Sequence, residues 1–284
     1  MKRFNLSIFF IKLSLTIIAI LAVGIILYPL LYVVLSSLLI GQALPTSLGD
    51  ISSRGLSLQH YLFTISDPTF ISSTITSIIV ALINIIISVF VIVPAAYAFS
   101  RFEFRGKNII LIAYLILSQV GGGFGIAAVI ALYIFLIKLN MLGIPVIGNP
   151  LILPLIYTGS AVPFQTWMIK NYFDVMPRSL DEAAFIDGAK WRQIIFRVIL
   201  PASRPAMIII ALFAFMGAWG EFIIANFLRI ETLAAYIYQT ATGQTIYWGD
   251  FAARTLIFSI PIIVIYAVAQ KYIGEALRYG AGKL

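Results

Sequence analysis

Three acidic side chains, Asp181, Glu182 and Asp187, lie close together in a chain that otherwise carries little charge. All three precede Gly188, which separates two short predicted helices, because glycine readily adopts the left-handed turn that ends a helix. Carboxylates near helix N-termini can pair with an arginine of another protein, which is binding chemistry and not catalysis. The sequence therefore predicts a cytoplasmic helix-turn-helix loop over 174–204 that contacts a partner.

The two predicted helices of this loop also carry local signals. Ser179 can cap the first helix, and Glu182, three residues later, can complete a capping box. Glu182 therefore has a purely local explanation as well, and Asp187 has one as the cap of the second helix. The second helix has one apolar stripe at helical spacing, formed by Trp191, Ile194, Ile195 and Val198. We expect this stripe to pack beneath the adjoining helices.

Catalytic chemistry has little support in the rest of the chain. The one histidine, His60, lies in a predicted outer loop, and neither a zinc-binding histidine pair nor a phosphate-binding glycine loop occurs. Cysteine is absent, which removes disulfides and thiolate metal sites. We therefore expect no cofactor, no metal site and no enzymatic activity in this chain itself.

The composition is that of an integral membrane protein. Hydrophobic residues make up 61% of the 284 residues and charged residues only 11%, whereas soluble domains carry about 25% charged residues. Apolar stretches long enough to cross a bilayer predict six transmembrane helices, near 12–38, 71–99, 109–133, 149–170, 205–228 and 252–273. We expect an all-α polytopic membrane protein in which residues 1–284 form a single transmembrane domain, with the 174–204 loop between helices 4 and 5.

Basic residues orient these predicted helices. Of the 19 Lys and Arg residues, the four that fall in the segments predicted to lie outside are Arg54, Lys138, Arg229 and Arg254. The others fall inside when both termini are cytoplasmic, as the positive-inside rule requires. The net charge of +8 is thus a topological signal, and we expect membrane lipid and no nucleic acid as a partner. The predicted location is the plasma or inner cell membrane.

The inner loop resembles a known sequence motif. It reads Glu182-Ala183-Ala184, then Gly188 after three residues, and Val198-Ile199-Leu200-Pro201 after nine more. This pattern resembles the EAA loop of binding-protein-dependent ABC importers, with valine where isoleucine is usual.

The resemblance extends along nearly all of the chain, to the MalG-like carbohydrate permeases. Residues 96–107, the Pro163-Phe164 pair and Trp167 match that subfamily, and 217–222 is similar to its W-N-E-F motif with Gly220 in place of asparagine. The resemblance implies a permease subunit of a sugar importer that works by alternating access, with ATP hydrolysis carried out by partners. The implied partners are a second, different permease chain, two cytoplasmic ATP-binding subunits and an external sugar-binding protein.

The resemblance also implies which residues dock on the ATP-binding subunit. They are Asp181, Glu182, Ala183, Ala184, Asp187, Gly188 and Ala189. The small side chains permit close approach to a partner, although the turn alone suffices to explain Gly188.

Polar and aromatic residues inside the predicted spans are candidates for the substrate pathway. Glu221 is an expensive group in a bilayer, so it either lines the sugar pathway beside Trp219 or pairs at the interface with the second permease. Gln119, Gln165 and Asn226 are further candidates that can equally form bonds between helices.

Two other functions are compatible with the composition. A proton-coupled secondary transporter would use Glu221 as its proton site, although no internal repeat supports it. A membrane scaffold that transports nothing is the third alternative.

Overall fold

A computed structural model describes residues 6–47, 49–120 and 126–280, and the side chains of 12–47, 49–116 and 127–272. The regular structure in these residues is helical, and the β pairing among them is one isolated bridge between Leu39 and Leu56. The predicted all-α class is therefore confirmed.

The chain forms two compact units. One unit comprises Met1–Pro68 with Gln239–Ser259, and the other comprises Thr69–Tyr238 with Ile260–Leu284. The helices in chain order begin with α1 (Leu6–Leu38), α2 (Gly49–Arg54), α3 (Gln59–Ser66), α4 (Pro68–Arg101), α5 (Lys107–Val120), α6 (Ile126–Met141) and α7 (Ile152–Asp174). They continue with α8 (Ser179–Ile186), α9 (Trp191–Ala202), α10 (Arg204–Gly220), α11 (Ile223–Phe227), α12 (Leu233–Thr242) and α13 (Trp248–Gly280).

Three of the described helices are long and apolar enough to cross a membrane by themselves, over Lys12–Leu38, Pro68–Arg101 and Trp248–Tyr272. A fourth span is counted if α9 and α10, which meet at an angle of 87°, are taken together. The predicted fourth span coincides with α7, a helix of 23 residues. The count of six transmembrane helices remains a prediction.

Two of the predicted spans are not continuous helices. The span predicted over 109–133 corresponds to the separate helices α5 and α6, and the glycines at 121–123 between them lie outside the described residues. The span predicted over 205–228 ends at Gly220, because Glu221 has an extended backbone conformation and α11 then starts at Ile223. The cause is the Glu221 side chain, which caps α11 as described below.

Five helices of the second unit, α4, α7, α8, α9 and α10, share one apolar core. Its fully buried side chains include Ile92 and Tyr97 of α4, Phe173 of α7, Ile194 of α9 and Ile210 of α10. Ala184 of α8 also belongs to this core. The predicted helix-turn-helix is therefore packed against α4, α7 and α10.

A buried histidine joins three segments of the first unit. His60 of α3 is only 2% exposed, and its Nδ1 lies 2.6 Å from Oδ1 of Asp250 in α13. Its Nε2 lies 3.0 Å and 3.1 Å from the carbonyl oxygens of Leu39 and Gly41, so this nitrogen donates a proton. Gln42 donates to the second Asp250 oxygen at 2.9 Å. The end of α1, α3 and the start of α13 are thus joined through one ring.

The ring of His60 also lies directly against the backbone of Gly249, where an added Cβ atom would overlap Nε2 of the ring. We expect Gly249→Ala to lower the free energy of unfolding by about 1–3 kcal/mol, because the ring must leave its acceptors to avoid the methyl group. Denaturant unfolding of the purified chain in detergent micelles measures this change.

Gly24→Ala is the matched control. Gly24 lies within α1, and nothing is within 4 Å of a Cβ atom added there. Alanine is the better helix former, so the control is expected to be neutral or stabilising by up to about 1 kcal/mol. Equal losses in both variants would contradict the proposed steric role of Gly249.

Candidate functional site

Helix α8 is attached to the last turn of α4 by a buried charge cluster. The Asp181 carboxylate accepts a hydrogen bond of 2.8 Å from the Tyr97 hydroxyl and forms an ion pair of 2.8 Å with Nε of Arg101. Both charged side chains are largely buried, 10% exposed for Asp181 and 7% for Arg101. Tyr97 and Arg101 are four residues apart in α4 and so lie on the same face of that helix. A buried carboxylate needs such partners, because an unpaired charge is costly to desolvate.

The same end of α4 is also joined to the end of α7. Arg101 donates from Nη2 to the carbonyl oxygen of Met176 at 3.2 Å, and Ser100 donates to Asp174 at 2.8 Å. Arg101 therefore connects α4 with both the end of α7 and α8. The segment between these two helices is held at both of its ends.

Aromatic rings pack next to this charge cluster. The ring of Trp191, the first residue of α9, lies 4.3 Å from that of Phe185 and 4.7 Å from that of Phe102 between ring centroids, in edge-to-face arrangements. Such pairs add to the gain from burying apolar area. The turn between α8 and α9 is thereby packed on the end of α4.

Within the part of the chain that the structure describes, no residue covers the opposite face of α8. Glu182, Ala183 and Asp187 are exposed there, and Ile186 is 86% exposed beside a partly exposed Phe185. A large aliphatic side chain so open to the surroundings, flanked by two carboxylates, is an unusual surface for a helix whose other face is buried. Sequence analysis did not select Phe185 and Ile186, although both lie inside the motif.

The residues predicted to dock on a partner separate into two groups. Asp181 and Ala184 face inward and are buried, so the expectation that Asp181 presents its charge to another protein must be corrected. Glu182, Ala183, Asp187 and Gly188 are exposed, and Ala189 is half-buried. Because α8 makes one helical turn per 3.6 residues, consecutive acidic residues point in different directions.

The predicted turn is present, but the predicted capping box is not. Gly188 has a φ of 76°, the left-handed conformation that glycine adopts at little cost. Ser179 is not the cap, because Arg178 is already helical and its carbonyl accepts from the N–H of Glu182 at 3.1 Å. The second helix is capped by Gln193, whose side chain accepts from the N–H of Lys190 at 2.8 Å, and not by Asp187.

The apolar stripe of α9 differs from the prediction because the helix widens. Residues Ile194–Ile199 form a π-helical turn, so the two fully buried side chains are Ile194 and Ile199, five residues apart. Ile195 and Val198 are half-buried at the edge of the core, and Trp191 packs on aromatic rings. The stripe was predicted from the 3.6-residue period, which does not apply across a π turn.

Glu221 caps a short helix beside a cavity. Its Oε1 accepts from the N–H of Ile224 at 2.7 Å, and its Oε2 accepts from the Tyr157 hydroxyl at 2.6 Å and from the N–H of Ala225 at 3.3 Å. The carboxylate thus satisfies the free donors at the start of α11 and ties α11 to α7. The cavity measures about 250 Å³, and its walls include Tyr157, Ser160, Gly217 and Glu221.

Among the described pathway candidates, Trp219, Gln165 and Asn226 do not line this cavity. Trp219 is 2% exposed and its ring is stacked on that of Phe215 at 5.2 Å, so it belongs to the protein core. Gln165 is buried, and its Oε1 has no hydrogen-bond partner within the described part of the chain. Asn226 is half-buried in α11, and the side chain of Gln119 lies outside the described residues.

A polar contact that sequence analysis missed joins three helices next to the cavity. Asn84 of α4 donates to the carbonyl oxygen of Ala214 in α10 at 2.8 Å and accepts from Thr158 of α7 at 2.9 Å. Ser88 adds a hydrogen bond of 3.2 Å to Thr158. Such bonds hold helices together where the surrounding lipid gives no hydrophobic drive for packing. An asparagine amid the apolar α4 sequence is the signal that identifies this site.

Within the described residues, no group of three or more His, Asp and Glu side chains comes together that could hold a metal ion. The charged groups of α4, α7 and α8 join helices, and the exposed face of α8 presents both charge and apolar surface. Helices α8 and α9 are thus fixed to α4 and α7, while one face of α8 is exposed.

Comparison with known proteins gives one matching family. Residues 72–279 match the family described as "Binding-protein-dependent transport system inner membrane component". The chain is 34% identical to the trehalose/maltose transport system permease protein MalG of Thermococcus litoralis, over 84% of this chain and 86% of that protein. It is 31% identical to the galactooligosaccharides transport system permease protein GanQ of Bacillus subtilis, over 91% of each protein.

A further relative and a solved structure agree with this match. The maltodextrin transport system permease protein MalD of Streptococcus pneumoniae is 28% identical over 91% of each protein. The fold is similar to a chain in the crystal structure of a bacterial ABC transporter involved in the import of the acidic polysaccharide alginate. The TM-score is 0.75 at 21% identity, covering 96% of this chain and 99% of that chain.

The charge cluster on α8 makes a measurable prediction. We expect Asp181→Asn to lower the free energy of unfolding by about 3–5 kcal/mol, because Arg101 would keep a buried charge without its counter-charge. Combining it with Arg101→Met should cost about 1–3 kcal/mol less than the sum of the two single changes. Unfolding of all four proteins in detergent gives this coupling.

Glu103→Gln serves as the control for loss of a carboxylate near the same helix end. Glu103 pairs with Lys107 at 2.8 Å, but its side chain is 86% exposed. Its removal should leave stability nearly unchanged, since exposed ion pairs contribute little. Additive losses at Asp181 and Arg101 would show that the two side chains do not interact.

Proposed function

This chain belongs to the inner membrane components of binding-protein-dependent transport systems, and we propose that it is the transmembrane subunit of an ATP-driven sugar importer. The sugar class is supported by the relatives, which are named for maltodextrin, galactooligosaccharides and trehalose/maltose. In this proposal the chain forms half of the translocation pathway, and ATP hydrolysis is carried out by separate subunits.

The exposed face of α8 is the proposed docking surface for a cytoplasmic ATP-binding subunit. The observation that carries this proposal is the division of α8 into a buried face anchored by Asp181 and an open face with Glu182, Ala183 and Ile186. Burying an isoleucine side chain stabilises a complex by about 1.5–3 kcal/mol. Glu182 can then add a charge-assisted pair with a basic group of the partner.

A movement of α8 would be transmitted directly to α4 and α10. Asp181 and Arg101 tie α8 to α4, while α9 continues through Ser203 into α10 with the 87° bend. Since Ala184 and Ile194 pack in one core with α4, α7 and α10, the loop and the inner ends of these helices would move together.

We propose that this coupling drives alternating access. ATP-driven dimerisation of the two ATP-binding subunits would bring the inner loops of two permease subunits together and open the cavity outward. Hydrolysis would then return the pathway to its inward-open form. The cavity with Tyr157, Ser160 and Glu221 is the proposed contribution of this chain to the pathway, because it combines apolar walls with hydroxyl and carboxylate groups.

The assembly proposed for this subunit is that of the family. It contains a second, different permease chain, two ATP-binding subunits and an external sugar-binding protein, in the plasma or inner cell membrane. The distribution of basic residues supports cytoplasmic N- and C-termini and a cytoplasmic α8–α9 loop.

Glu182→Lys tests the docking surface. We expect normal membrane insertion but loss of ATP-dependent sugar uptake and of co-purification with the ATP-binding subunit, because the reversed charge would repel the basic group that Glu182 meets. Quantitative co-purification from membranes and uptake into proteoliposomes measure the two effects.

Glu231→Lys is the control for this charge reversal. Glu231 is exposed in the segment between α11 and α12, in the predicted outer part of the chain. This control should retain co-purification with the ATP-binding subunit. Normal assembly and uptake by Glu182→Lys would refute the docking role of α8.

Glu221→Gln distinguishes the proposed importer from the proton-coupled alternative. A glutamine can still accept from the N–H of Ile224, so we expect ATP-dependent uptake to fall by less than about ten-fold, within the loss of one hydrogen bond. A proton carrier at this position would lose all gradient-driven uptake in the same variant. Uptake by the purified chain alone, driven by a proton gradient and abolished by Glu221→Gln, would establish the alternative.

A further inference from the structure

Helix α3 (Gln59–Ser66) exposes three large apolar side chains and buries two polar ones. The side chains that it buries are His60 and Thr64, while Leu62, Phe63 and Ile65 are 66%, 56% and 59% exposed. In a helix that lies in water, the apolar residues face the protein and the polar residues face out. The environment of the outward face of α3 is therefore not expected to be water.

The buried face of α3 is fixed by specific partners. His60 contacts Asp250 and the carbonyl oxygens of Leu39 and Gly41, as described above, and the Tyr61 hydroxyl lies 2.7 Å from that of Ser37. These contacts tie α3 to the end of α1 and the start of α13. Rotation of α3 about its axis would break them, so Leu62, Phe63 and Ile65 are held outward.

The apolar surface of α3 continues onto neighbouring residues of the same unit. Leu58, at 61% exposure, precedes the helix, and Leu56 and Ile40, at 60% and 45%, adjoin the bridge between Leu39 and Leu56. This bridge directly follows α1, whose apolar side chains are exposed along most of Lys12–Leu38. Leu58, Leu56 and Ile40 thus add exposed apolar area between the end of α1 and the start of α3.

The adjacent helix α2 (Gly49–Arg54) marks where this apolar surface ends. It carries Asp50, Ser52, Ser53 and Arg54 and has no buried residue. Hydrogen bonds from the backbone N–H groups of Thr46 and Ser47 lower the pKa of Asp50, which keeps its carboxylate charged. Polar and apolar helices thus follow each other within a few residues, as at the boundary between water and membrane.

We propose that α3 is an interfacial helix whose Leu62, Phe63 and Ile65 insert among the acyl chains of the lipid leaflet at the C-terminal end of α1. Eight residues span about 12 Å and cannot cross the roughly 30 Å hydrocarbon core, so the helix lies along the membrane surface. Amphipathic helices bind membranes in this manner through their buried apolar area. This proposal requires only that the chain is embedded in a membrane. It does not depend on which substrate is transported.

Single-cysteine labelling tests the proposal cleanly, because the chain contains no cysteine. Leu62→Cys and Ile65→Cys are each labelled with a nitroxide in the full-length chain in phospholipid vesicles. The collision rates of each label with oxygen, which concentrates in lipid, and with a water-soluble nickel chelate are then measured. Val23→Cys on the exposed side of α1 is the lipid control, and Ser53→Cys on α2 is the water control.

We expect both α3 labels to collide more with oxygen than with nickel, as the Val23→Cys label does. A preference for nickel, as in Ser53→Cys, would place the helix in water and overturn the proposal. Low collision rates with both reagents, in the chain alone or after assembly with its co-purifying subunits, would show a protein-covered surface and overturn it too. Unfolding midpoints equal to that of the unlabelled chain verify that the variants fold.

Discussion

The buried ion pair of Asp181 with Arg101 is the interaction on which the position of the α8–α9 loop depends. Two charges in a dry environment must remain together, because either one alone would be left without solvation or a partner. Tyr97 adds a third group to the same carboxylate. The pair therefore determines which face of α8 points toward α4 and, as a consequence, which face stays exposed.

Similar polar contacts recur wherever helices of this chain must be held in a defined arrangement. Asn84 and Thr158 join α4, α7 and α10, while His60 and Asp250 join the end of α1, α3 and α13. Lipid is as apolar as the helix surfaces, so apolar packing alone does not select one neighbour over another. A few polar groups with defined geometry supply that selectivity, and the proposed movements of the subunit would have to preserve or exchange them.

Much of the architecture could be predicted from the sequence, because long apolar segments and the glycine at position 188 act through hydrophobicity and backbone sterics, which depend on nearby residues. The helical class, the helix-turn-helix and its left-handed turn all follow from hydrophobicity and backbone sterics. The inward orientation of Asp181, the core position of Trp219 and the capping role of Glu221 depend on contacts with distant residues. Residue spacing along a single helix does not contain that information.

The π-helical turn in α9 places its two buried isoleucines five residues apart. In a regular α-helix two such residues would point about 140° away from each other, so one of them would leave the core. Deleting one residue between them would convert the spacing to four and bring both back to one side without the wide turn. The number of residues in α9, and not only their side chains, thus sets the rotation of α9 about its axis where it leads into α10. Inserting or deleting one residue here would change that rotation.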